Sequence, residues 1–147
     1  MYRRGRPVDQ EFEPSEQLYR RYKREHWVDN HFSNTGLRFP DESGPSVNRG
    51  KYSEPEDVLF SPSGEFNRWG VLKFRVADIP GPIEDGAGCL YLFSARHVPE
   101  DDNYAHSELW AATAGEGAKP ARPSSRVKKE FRVRLSQRIT VCIEALL

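Results

Sequence analysis

CLYLFSARHVPEDDNYAHSELWAATA, Cys89 to Ala114, decides how the rest of the chain is read. Leu90 to Ala95 follows Gly86 and Gly88 and is rich in aromatic and branched apolar residues, the composition of a buried strand. Leu109, Trp110, Ala111 and Thr113 resume that pattern beyond a polar connection holding Pro99 and Asn103. Two such runs joined by a polar loop predict an antiparallel hairpin. Side chains alternate between the faces of a strand, so His106 and Glu108 share one face; His97, ending the first strand, is expected beside them.

Working outward, Trp69 to Ile79 alternates Leu72, Phe74 and Val76 against Val71, Lys73 and Arg75, which predicts a strand with one wet face. Pro80-Gly81-Pro82 ends it, and the three strands together predict a meander. Downstream, Ser124 or Ser125 is placed to cap a helix carrying Val127, Phe131 and Leu135 at i, i+4 and i+8, and the β-rich Ile139 to Ala145 supplies a fourth strand. Upstream, Leu18, Tyr22 and Trp27 in EQLYRRYKREHW suggest a short basic helix, and Asp29 to Lys51 has a loop's composition. Ser53-Glu54-Pro55-Glu56 matches a capping box opening a short helix. The expected fold is α+β: a small, mainly antiparallel sheet of about four strands with short helices packed on one side. Residues 1–14 read as an extended polar arm and 15–147 as a single globular domain.

The chain has 147 residues, and its 22 Lys and Arg balance its 22 Asp and Glu, so overall charge selects no partner and only local patches could. No apolar run has the length of a membrane span, and no apolar core follows the Met-Tyr-Arg-Arg start, so the expected setting is cytoplasmic, away from the membrane. Cys89 and Cys142 lie far apart in apolar segments without a C-x-x-C and read as buried reduced thiols. Common nucleotide-binding, serine-hydrolase and zinc signatures are missing, and no serine or cysteine nucleophile has a base near it in sequence; the sequence names no cofactor.

Three constellations remain. His97, His106 and Glu108 form a two-histidine, one-carboxylate set able to ligate a divalent metal. The two histidines with Arg96 as phosphate clamp are the inventory of a metal-free ribonuclease, because imidazole titrates near neutrality and can both take and give a proton. Against both stands a plain cross-strand ion pair between Arg96 and Glu108. The third is cationic: Arg126, Lys128, Lys129, Arg132, Arg134 and Arg138 on the C-terminal helix, extended by Lys119 and Arg122, with Arg20, Arg21, Lys23 and Arg24 upstream and Tyr19, Tyr22 or Trp27 for stacking. Asn48, Arg49 and Lys51 are further candidates because long loops often carry function. The leading expectation is a non-catalytic binding module whose basic surface, with Arg20, Arg21, Arg49, Lys128, Lys129 and Arg132, takes nucleic acid or an acidic protein partner. A phosphodiester-cleaving enzyme is one alternative. The other is a structural subunit anchored by Trp27, Trp69 or Trp110.

Overall fold

The computed structural model describes residues 6–33, 36–39, 44–115 and 120–146. Nine strands are present among them: β1 (Gln17–Tyr22), β2 (Trp27–Val28), β3 (His31–Phe32), β4 (Ser46–Arg49), β5 (Gly70–Arg75), β6 (Ile83–Glu84), β7 (Leu90–His97), β8 (His106–Thr113) and β9 (Thr140–Ile143). One α-helix, α1 (Ser125–Ser136), joins them, together with short 3-10 turns. Seven of the strands make a single antiparallel sheet in the order β6-β7-β8-β4-β1-β5-β9, curled into a half-barrel. The fold is therefore mostly β with one helix, and the expected four-stranded sheet with several packed helices is corrected.

The expected hairpin is the longest ladder: β7 and β8 pair over seven positions from Tyr91↔Thr113 to His97↔Ser107. The meander does not form, because β4 and β1 lie between β8 and β5. The stretch expected to be a basic helix is β1, paired with β5 from Gln17↔Arg75 to Tyr22↔Gly70. Leu18 and Tyr22 are both buried, and a spacing of four puts two residues on one face of a strand as well as of a helix. Interstrand pairing decides between the two readings. The supposed loop from Asp29 to Lys51 contains β3 and β4. Asp29 and Asn30, both at positive φ, form the tight turn between β2 and β3.

β5 stops at Arg75, where a 3-10 turn over Val76–Asp78 begins and the Asp78 carboxylate accepts the Arg75 N–H at 2.8 Å. Its second face is wet as expected at Arg75, which is exposed, and partly at Lys73, but is closed at Val71, which is fully buried. The 3-10 turn at Pro55–Leu59, with Val58 buried, packs on β1 and β5. That turn replaces the helix expected after Ser53, and its first N–H group, on Glu54, is satisfied by Asp57 rather than by the expected Glu56. Gly70 is required where it stands, because a Cβ there would lie 2.3 Å from the Ile143 carbonyl oxygen of β9.

The C-terminal helix forms as expected: Ser124 Oγ accepts the Val127 N–H, and Val127, Phe131 and Leu135 are fully buried against Leu18, Val47, Leu72, Phe74, Leu109 and Ala111 on the inner face of the sheet. Phe131 sits 4.6 Å from Phe93 and 5.4 Å from Phe39, centroid to centroid. The helix end is tied down where Ser136 Oγ accepts the Phe32 N–H at 3.0 Å. β9 also forms, as the edge strand beside β5. Cys89 and Cys142 are free and half-buried. Among the described residues no helix is long and apolar enough to cross a membrane. Phe131→Ala should cost about 3–5 kcal/mol, measured by urea unfolding, because it empties the contact between helix and sheet; a loss under about 1 kcal/mol would show that α1 does not hold the sheet's inner face.

Candidate functional site

The hairpin register separates the histidines. His97 pairs with Ser107, so its ring shares the inner face with Ala95 and Leu109, whereas His106 pairs with Asn48 of β4 and faces the opposite way with Glu108. The expected juxtaposition of His97 with His106 and Glu108 is therefore not formed. Arg96 stands across from Glu108, its Nε donating to Glu108 Oε1 at 2.7 Å, the cross-strand pair weighed above. Among the described residues no group of three or more His, Cys, Asp or Glu side chains is placed to hold a metal ion.

His97 and Arg49 instead belong to a buried clamp. His97 Nδ1 accepts the Asp9 N–H at 2.9 Å, which puts the ring proton on Nε2, from which Tyr104 O accepts at 2.6 Å. Gln10 bonds both the N–H and the C=O of His97. Arg49 is fully buried. Its Nε and Nη2 donate to the two Glu16 carboxylate oxygens at 2.9 and 2.8 Å, and its remaining donors reach the Asp9 and Glu11 carbonyls. Phe12 packs on the guanidinium, 3.9 Å from the ring centroid. Lys51 and Tyr52 close the clamp on the Asp9 carboxylate, at 2.8 and 2.5 Å. The described part of the N-terminal arm is thus bound in place, and Arg49 has no surface to offer a partner.

The other cationic candidates meet. β1 and β4 pair only at Leu18↔Arg49 and Tyr19↔Asn48, beyond which they diverge and leave a slit in the sheet. Arg20 spans it, donating through Nη1 to Ser46 O at 2.8 Å and through Nη2 to Gly36 O at 3.0 Å. The slit opens into a groove of about 1070 Å³ that also takes in one side of α1. Its lining holds Arg20, Arg21, Arg38, Arg122, Lys128, Lys129 and Arg132, and among the described residues one carboxylate, that of Glu100. Lys128 and Arg132 are one turn apart on α1 and flank the buried stripe of Val127 and Phe131. Arg134 is on another side of the helix, paired with Glu130 at 2.9 Å. Lys119 lies outside the described residues.

Burial, followed by the nearby Arg21 charge, pulls Arg20 down to about 10, so it stays charged at neutral pH. Its acceptors are carbonyls, so among the described residues no carboxylate bonds to it. Tyr19, His26 and Trp69 bring rings to the same groove; His26 meets Trp69 edge-on at 5.7 Å, and Lys23 lies 5.2 Å from the Trp69 ring centroid. The floor is polar, with Ser46, Asn48, Asn103 and His106.

No family model, curated protein or solved structure matches the chain. The groove's geometry therefore carries the functional argument alone. Ser46 and Arg38 were not legible as site residues: β4 has no strand pattern of its own, and Ser46 lies far in sequence from the histidine it meets.

The clamp makes folding sensitive to acid. Burial holds His97 below the ordinary histidine value of 6.5, and His26 is lowered for the same reason. The unfolded chain protonates these rings below about pH 6.5 while the folded one resists, so their contribution is complete above that pH and lost as pH falls through it. Asp9, held well below the carboxylate range by Lys51 and Tyr52, adds a second loss below about pH 4. Thermal unfolding should show the midpoint dropping between about pH 7 and 5. His97→Gln should lower the midpoint overall and flatten that drop to the part due to His26; an unchanged slope assigns the dependence to other groups.

Proposed function

We propose that the protein is a small binding module whose basic groove holds single-stranded nucleic acid. One observation carries the reading: Arg20 and Arg21 on β1 and Lys128, Lys129 and Arg132 on α1, remote in sequence, line one groove with Arg38 and Arg122. Seven like charges lining one groove repel one another, and among the described residues Glu100 is the carboxylate that faces them. A ligand with closely spaced negative charges relieves that repulsion and releases its own counterions on binding. Cations on both the strand side and the helix side of a groove suit a flexible single strand threaded between them. A duplex, in contrast, carries its phosphates on the outside of a rigid rod. Tyr19, His26 and Trp69 supply stacking surfaces that every base can use, and Asn48, Asn103 and Ser46 supply hydrogen-bonding groups. A cytoplasmic setting fits the reading, since Cys89 and Cys142 are free thiols.

Fluorescence anisotropy with short labelled RNA and DNA strands at several salt concentrations tests this. Affinity should fall steeply with salt. The Lys128→Glu, Arg132→Glu double variant should bind at least about tenfold more weakly, with a log–log salt slope shallower by about 1.4, two phosphates at roughly 0.7 each. Arg134→Glu, outside the groove, should bind as the parent does. Equal binding by the double variant, or tight binding of an acidic polypeptide in place of the strands, would overturn the nucleic-acid reading.

A further inference from the structure

We propose that Ser46 is a nucleophile activated by His106, and that it attacks phosphorus in a phosphodiester held in the groove. The inference rests on the reading of the groove as a phosphate-binding site and adds a reaction to it. Its basis is the β4–β8 register: Ser46 is opposite Glu108 and Asn48 opposite His106, so Ser46 and His106 are diagonal neighbours on the same face of the sheet. The His106 ring leans along the strand until Nε2 is 3.2 Å from Ser46 Oγ.

The ring is oriented for this role. Val98 O can only accept, so the 2.7 Å contact with His106 Nδ1 fixes a proton on Nδ1 and leaves the Nε2 lone pair directed at the serine hydroxyl. Nucleophile, base and a third group that orients the base form the arrangement that makes a hydroxyl reactive at neutral pH. Here the third group is a backbone carbonyl. The charge that develops on the imidazole as it takes the serine proton is met by Glu100, whose Oε1 is 3.8 Å from Nε2.

The surroundings select the electrophile. Ser46 is exposed to the groove, and Arg20 Nη1, crossing the slit, is bonded to the serine's own carbonyl at 2.8 Å, so a guanidinium is fixed to the backbone of the nucleophile's residue. Lys128 and Arg132 line the same groove. Phosphoryl transfer spreads charge over the non-bridging oxygens and depends on positioned cations, which this groove has. In the step itself, the bond from Ser46 Oγ to phosphorus forms as the bond from phosphorus to the leaving oxygen breaks. The serine proton passes to His106 Nε2 and from there to the leaving oxygen, which departs as an alcohol. Water, deprotonated by the same nitrogen, then attacks the phosphoserine; the phosphorus–Oγ bond breaks, and the serine regains its proton.

The chain is treated with an alkyl fluorophosphonate, which a reactive serine attacks at phosphorus with loss of fluoride, and the adduct is located by peptide mass spectrometry. Hydrolysis of bis(p-nitrophenyl) phosphate is followed in parallel. One adduct at Ser46 is expected, none in Ser46→Ala, and labelling slowed about 100-fold or more in His106→Gln, the scale of a lost general base. Nitrophenolate release should follow the same order. Ser46 is exposed, so Ser46→Ala should keep the parent's unfolding midpoint, which separates loss of the adduct from loss of the fold. Absence of an adduct at Ser46, or parental labelling in His106→Gln, overturns the proposal. If strands bind while Ser46 stays unlabelled, only the nucleophile is lost; if Ser46 is labelled while no strand binds, the nucleic-acid reading is lost instead.

Discussion

A strand in the middle of a sheet has to satisfy its backbone groups on both edges, and in this protein that requirement falls on the four residues of β4. Ser46–Arg49 pairs with β8 on one side and, over two positions, with β1 on the other. Without it the β6-β7-β8 sheet and the β1-β5-β9 sheet would present two open edges. With it they become one curled surface that α1 can fill from inside. The same register sends Val47 and Arg49 inward and Ser46 and Asn48 outward, so a single pairing sets the core, the clamp and the groove floor. Because the side-chain period is two, a slip of one residue would exchange all of these roles.

Two arginines on one face of the sheet meet their charge in opposite ways. Arg49, with no exposed surface, is matched by a bidentate carboxylate and by backbone carbonyls of the N-terminal segment. A buried guanidinium needs that degree of satisfaction, since removing one partner of such a pair costs about 3–5 kcal/mol. Arg20 also bonds backbone carbonyls, but its neighbours in the groove are further cations. One arginine is neutralised by its own chain and serves folding. The other leaves a positive field in a groove, where a ligand's charge can complete it.

How much of this was readable in advance depends on whether a segment's partners are local. The β7–β8 hairpin and α1 were legible because their apolar periods and the Ser124 cap are encoded in consecutive residues. β9 was legible from its β-branched run. β1 was misread because Leu18 and Tyr22 fit two periods, and pairing with β5 chose between them. β4 was hidden inside a Ser, Gly, Pro and Asn-rich stretch, since among its four residues only Val47 is apolar. The site followed the same rule. His106 and Glu108 share a face as alternation requires, but only the pairing of His97 with Ser107 reveals that His97 points the other way. The union of Arg20 with Lys128 and Arg132 depends on where the sheet curls and the strands part, which no local pattern records.

Chemical-shift mapping reads whether β1 and α1 are the two sides of one anion-binding groove. Backbone amide resonances of the isotopically labelled chain would be followed as a short single strand is added at low salt. Saturating shifts should begin at the same strand concentration at Tyr19–Arg21 and at Lys128–Arg132, with residues of the Asp9, Arg49 and His97 clamp unmoved. Shifts confined to one of the two segments, or centred on the clamp, would contradict it.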